Sequence, residues 1–128
     1  MQAWSAVMVA LAASLCVSFS GSQAVAVTRM EKALLKLDPE ERAHQVCAAK
    51  GLEVVRRDKR FARVDRVMPD TFQRAKMVEG VLKAKGAAVR ASSHWYKLTF
   101  ECTLSSDQLK ATAFTYEVGS EIPPEEWD

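Results

Sequence analysis

His94-Trp95-Tyr96-Lys97-Leu98-Thr99-Phe100-Glu101-Cys102-Thr103-Leu104 alternates without a break. Tyr96, Leu98, Phe100, Cys102 and Leu104 fall on one side, and Trp95, Lys97, Thr99, Glu101 and Thr103 on the other. That period belongs to a strand with one face in a core. Ser92-Ser93 before it reads as a turn, and Ala87–Ala91 as the strand that precedes the turn. Ser105–Gln108 after it reads as a second turn. Leu109–Val118 is a further strand with Phe114, Tyr116 and Val118 on one side and Gly119 as its end. Strands in series with short turns make an antiparallel sheet. The closing Ile122-Pro123-Pro124-Glu125-Glu126-Trp127 is acidic and held extended by its prolines.

Upstream the period changes to that of a helix. Between Thr28 and Leu37, Met30, Ala33, Leu34 and Leu37 form one apolar stripe. Asp38-Pro39-Glu40-Glu41 then restarts a helix: Asp38 as N-cap, Pro39 in the first helical position, Glu41 completing a capping box. Ala43, Val46, Cys47, Lys50 and Val54 mark its inner face, Gly51 weakens it by about 1 kcal/mol, and it should end near Arg57. Thr71–Lys85 reads either as a helix or as a short helix followed by a strand at Val81–Ala84, with Gly86 closing it. Helices first and a sheet after them predict an α+β fold, the N-terminal helices packed on a small antiparallel sheet.

With 128 residues, 48% hydrophobic and 27% charged, the chain has the composition of one globular domain. It is too short for a dinucleotide-binding domain with a partner domain, or for a (β/α)8 barrel. Ala3–Phe19 is an uncharged apolar run, broken at Ser20–Gln23 and followed by Ala24-Val25-Ala26, small residues where a signal peptidase reads. The expected organisation is a cleaved signal over residues 1–26 and a single secreted domain over 27–128, hence a periplasmic location without a stable membrane span. A retained anchor is the alternative, although the run sits at the short edge for spanning. Cys16 does not mark a lipoprotein, because Leu15 stands where a small residue is wanted.

Export leaves Cys47 and Cys102, an even pair in an oxidising compartment, and predicts a disulfide between them. The competing arrangement is a metal site built from His44, Cys47, His94 and Cys102. His94 and Cys102, eight residues apart on one strand, lie roughly 26 Å from each other, so they cannot share an ion unless that strand breaks.

Charge is lopsided. Thr28–Arg90 carries 16 basic and 9 acidic residues, Ala91–Asp128 only 2 basic and 7 acidic. The overall net charge of +2 does not argue for nucleic acid, which an exported protein rarely meets. Arg56, Arg57, Arg60 and Arg63 belong to a basic stretch that runs to Arg66. Their guanidinium groups could grip phosphate or carboxylate; the blander alternative is a solvated segment balanced by Asp58 and Asp65. Trp95 and Trp127, with Glu125 and Glu126, are the candidates for a recognition surface, since large aromatics dominate binding hot spots. Strand parity leaves Trp95 exposed or covered by the tail. His94, beside Ser92 and Ser93, is a candidate base, and Glu101, Glu117, Glu125 and Glu126 are the carboxylates from which an acid pair could be drawn. No nucleophilic triad, metal spacing or Gly-rich phosphate loop accompanies them, and no cofactor is expected.

Several segments together resemble a known family: Leu37-Asp38-Pro39 with Arg42 and Cys47; Gly86-Ala87-Ala88-Val89-Arg90; Trp95 through Cys102; Phe114-Thr115-Tyr116 with Gly119; Ile122-Pro123 with Trp127. They are similar to the small secreted alphaproteobacterial proteins catalogued as domain of unknown function 930. The resemblance covers nearly all of residues 27–128, is specific in the last 40 or so and loose between Phe61 and Lys85. It implies a Gram-negative envelope setting and pairing of the two cysteines, and it identifies no catalytic residue.

The expected function is therefore a non-catalytic periplasmic binding module acting on envelope machinery. By analogy with known small secreted inhibitors, the partner would be a lysozyme-like enzyme that cleaves peptidoglycan. The alternatives are a small hydrolase using His94 or a carboxylate pair, and a purely structural envelope role.

Overall fold

The computed structural model describes residues 28–127; the expected signal segment lies outside them. Two helices precede a five-stranded antiparallel sheet: α1 (Arg29–Leu35), α2 (Pro39–Arg56), β1 (Val64–Met68), β2 (Lys76–Val78), β3 (Val81–Ala91), β4 (His94–Leu104) and β5 (Ala111–Glu121). The spatial order is β1-β3-β4-β5, with β2 pairing along β3 beside β1. The fold is α+β, as expected. No helix among the described residues is long and apolar enough to cross a membrane.

Local chemistry explains both helix starts. Thr28 and Glu31 exchange a reciprocal capping box at α1. At α2, Asp38 accepts from the Glu41 backbone with Pro39 in the first turn, while the Glu41 carboxylate turns to Gln45 rather than closing a box. Arg42 joins the two helices: its guanidinium donates to the carbonyls of Leu34 and Leu37, and to Asp107 in the turn after β4. The Leu34 carbonyl, which also accepts from the Leu37 N–H, and the Leu37 carbonyl in the link between the helices are thereby tied to α2.

One face of α2 lies on one face of the sheet. Ala43, Val46, Cys47, Gly51 and Val55 are buried there, so the stripe passes through Gly51 and Val55 rather than the expected Lys50 and Val54. Against them stand Leu82, Ala84, Val89, Leu98, Phe100 and Cys102. A Cβ on Gly51 would come within 2.9 Å of the Phe114 ring, which itself stacks on Phe100 at 4.9 Å between centroids. Absence of a side chain at Gly51 lets the helix approach this closely. Cys47 and Cys102 are joined in a disulfide, Cα to Cα 6.0 Å, tying α2 to β4 through the middle of the core.

Several sequence expectations need correction. Thr71–Lys85 contains no helix: it forms a loop, β2 and a two-residue turn at Glu79-Gly80, and of its two readings only the strand at Val81–Ala84 is found, as the start of β3. β1 was not expected. Gly86 does not end a strand; β3 runs through it, with a bulge between Ala84 and Ala87. β5 likewise runs through Gly119 to Glu121, with a register shift opposite Tyr96 and Leu98. In both places the extra residue lets the alternation resume on the same face. The tail also departs from an extended path, since Pro124–Glu126 forms a 3-10 turn.

Candidate functional site: a two-tryptophan cavity behind the sheet

Ile122 is buried, and its N–H donates to the Trp95 carbonyl at 2.7 Å, which seats the tail on β4. The 3-10 turn then folds the chain back, so that the Trp127 indole N–H reaches the Ile122 carbonyl at 2.9 Å. The tail thus lies over the sheet face that α2 leaves free, on the side that carries Trp95. From the other direction the loop after β1 is held by Phe72 N–H donating to the Gly86 carbonyl at 2.8 Å. A Cβ on Gly86 would overlap the Gln73 backbone, so the bulge glycine is what lets this loop settle and present Phe72.

Between tail, loop and sheet lies a cavity of about 210 Å³. Trp95, Trp127, Phe72, Met68, Ile122 and Glu126 are among the residues that line it. Phe72, Met68 and Trp127 remain 51%, 43% and 38% exposed, the largest unburied apolar groups near one another on this face. Beside the cavity, Arg90 lies 5.5 Å from the centre of the Trp95 ring and forks onto Asp65 at 2.7 and 2.8 Å. Hydrogen bonds from Arg90 hold the Asp65 carboxyl below its ordinary range. This braces the indole from a residue that does not itself line the cavity.

Three residues singled out separately in the sequence, Trp95, Glu126 and Trp127, therefore meet at one place, and Glu125 sits on the same turn, exposed. Met68 and Phe72 were missed. The basic segment is not part of this site. Arg56 donates to the Val64 carbonyl, Arg57 to Glu53, and Arg60 forks onto Asp58 at 2.7 to 3.2 Å. Asp58, which also accepts from the Tyr116 hydroxyl, is held well below the usual carboxylate range, chiefly by Arg60. Asp65 is forked chiefly by Arg90, from outside the segment, with a further attraction from Arg66 within it. Arg63 is exposed, at a left-handed φ of 51° between α2 and β1.

The other candidates are dispersed. His94 pairs with Glu121 at 2.6 Å where β4 begins and β5 ends, each side chain about half exposed. The neighbouring Ser92 hydroxyl donates elsewhere, to the Ala62 carbonyl. His44 is buried and bridges the Glu40 carbonyl and Asp70, and both cysteines are spent in the disulfide, so the four-residue metal set of the sequence is not brought together.

No curated protein and no solved structure matches the chain. The family model for Domain of Unknown Function (DUF930) matches residues 34–128, from the end of α1 through the tail that closes the cavity, and the chain belongs to that family.

Proposed function

We propose that this protein is a non-catalytic binding module exported to the periplasm through a cleaved segment over residues 1–26, and that it docks a component of the cell-envelope machinery on the two-tryptophan cavity. The reading rests on one observation: Trp127, Phe72 and Met68 stay half-exposed around a cavity whose wall carries Glu126. Single exposed apolar residues are ordinary; three converging on a cavity are not, and tryptophan is among the residues enriched at binding hot spots.

Among envelope components, a peptidoglycan-cleaving enzyme of the lysozyme type fits best. Such enzymes are often cationic, and residues 91–128 carry 2 basic and 7 acidic side chains, a bias that would steer encounter. The test is a turbidity assay of peptidoglycan lysis with and without the purified protein, beside a Trp127→Ala, Glu126→Lys variant. Slowed lysis with the wild type and unimpeded lysis with the variant is the expected result. Unchanged lysis at large molar excess of wild type removes the enzyme as partner. The intact mass of protein recovered from the envelope tests the cleavage.

A further inference from the structure

The size of the cavity limits what enters it. At about 210 Å³ it is smaller than the roughly 300–1,000 Å³ of pockets for drug-sized ligands. It exceeds the roughly 150 Å³ that accommodates a benzene-sized guest. One protruding side chain fits.

The walls limit its chemistry. Indole and phenyl faces carry negative electrostatic potential and attract cations within about 6 Å of a ring centre. Arg90 over Trp95 is an instance already built into the fold. Glu126 lines the cavity and Glu125 stands on the same turn, and among the described residues neither carboxylate has an ion pair or a side-chain hydrogen bond. A purely apolar guest would push water from Glu126 without offering it a partner, which is unfavourable. A guest with a methylene stem and a cationic head satisfies both parts. Its stem would lie along Met68 and Phe72, and its head would meet the indoles and Glu126.

We infer that the cavity takes a lysine or arginine side chain presented by a basic protein partner. This deepens the proposed function, since it rests on docking at the cavity, but it is independent of which enzyme or envelope component the partner is. Glu121 is paired with His94, so the complementary charge at the cavity comes from Glu125 and Glu126 of the tail.

The experiment uses ¹⁵N-labelled protein purified from the envelope of its host, in whatever processed form it has there. The probes are the peptides acetyl-Gly-Arg-Gly-amide and acetyl-Gly-Lys-Gly-amide, with acetyl-Gly-Leu-Gly-amide as the apolar control. Indole N–H resonances, assigned by Trp95→Phe and Trp127→Phe, report on the cavity directly. The expected result is saturable movement of both indole signals with the Arg or Lys peptide and at least fivefold weaker binding of the Leu peptide. Glu126→Gln should weaken the cationic peptides threefold to tenfold, and raising salt to 1 M should do the same. Trp127→Phe keeps a ring in place and guards against a folding defect in Trp127→Ala. Equal movement with the Leu peptide would assign the cavity to an apolar anchor and overturn the inference. So would indole shifts that follow protein concentration alone, which would assign it to a second copy of the chain. Slowed peptidoglycan lysis with silent indoles would overturn it while leaving the inhibitor in place. Cationic binding without any effect on lysis would support it and discard the muramidase.

Discussion

Reducing the Cys47–Cys102 bond should remove a large share of the stability of this domain. The bond spans 55 residues of sequence. In the chain-entropy model a closed loop of that length costs the unfolded chain about 14 cal/mol/K, which is about 4 kcal/mol at 25 °C. Domains of this size have about 5–15 kcal/mol in all, so between a quarter and four-fifths of the total depends on one bond. Reduction is a cleaner perturbation than replacement by serine, because both cysteines are fully buried and two serines would place unpaired hydroxyls in the core. Buried sulfurs are also inaccessible to reductant in the folded state. The protein must therefore be reduced in urea and refolded, with its thiol state read by mass after alkylation under denaturing conditions. Urea melts of the oxidised and reduced forms, followed by circular dichroism, should differ by about 3–5 kcal/mol. The thermal midpoint should fall by about 15–30 °C. A difference below about 1 kcal/mol would refute the reasoning, and two free thiols in protein purified without reductant would refute its premise.

Two further predictions follow from the packing. Gly51→Val puts a branched side chain where even a Cβ meets the Phe114 ring and Val67. It should lower the urea-melt stability by about 1–3 kcal/mol; an unchanged midpoint would mean that α2 does not seat so closely on the sheet. Asp58 is depressed in the folded state, chiefly by Arg60, and Tyr116 is raised, chiefly by Asp58. The carboxylate contribution is therefore present above about pH 4 and lost as pH falls below it, while the tyrosine contribution is present below about pH 10 and declines above it. Asp58→Asn should flatten both ends of the stability-pH profile, whereas Tyr116→Phe should flatten the alkaline end and only reduce the acid limb, because Arg60 still holds Asp58 down. A wild-type acid limb that Asp58→Asn leaves unchanged would contradict this.

The start of α2, the limits and faces of β4, and the Cys47–Cys102 pairing were all legible in the sequence. Each rests on a signal carried by a few neighbouring residues or, for the cysteines, by a count. Asp38-Pro39 offers a cap in place, and strict alternation over His94–Leu104 leaves one way to face a core. Gly86 and Gly119 were legible as interruptions, but not as bulges, because whether an interruption ends a strand depends on the neighbouring strand. Opposite each of them β4 continues, and the backbone bonds gained by following it outweigh one unpaired residue. β1 and β2 have the same origin: short, charged segments with little strand signal of their own become strands because the edge of β3 is there to pair with them.

The cavity lay furthest from reach. Trp95 and Trp127 could be nominated as aromatic residues on a free face and in a tail, with Glu126 as an acid beside one of them. Met68 and Phe72 gave no signal, since an apolar residue in a polar loop looks like any other until its neighbours are known. They join the tryptophans only because the Gly86 bulge lets the 71–73 loop settle on β3 and the Ile122–Trp95 hydrogen bond folds the tail across β4. Sequence periodicity records which side of an element faces inward. Which segments share the opposite side is decided by long-range pairing, and the tertiary structure alone contains it.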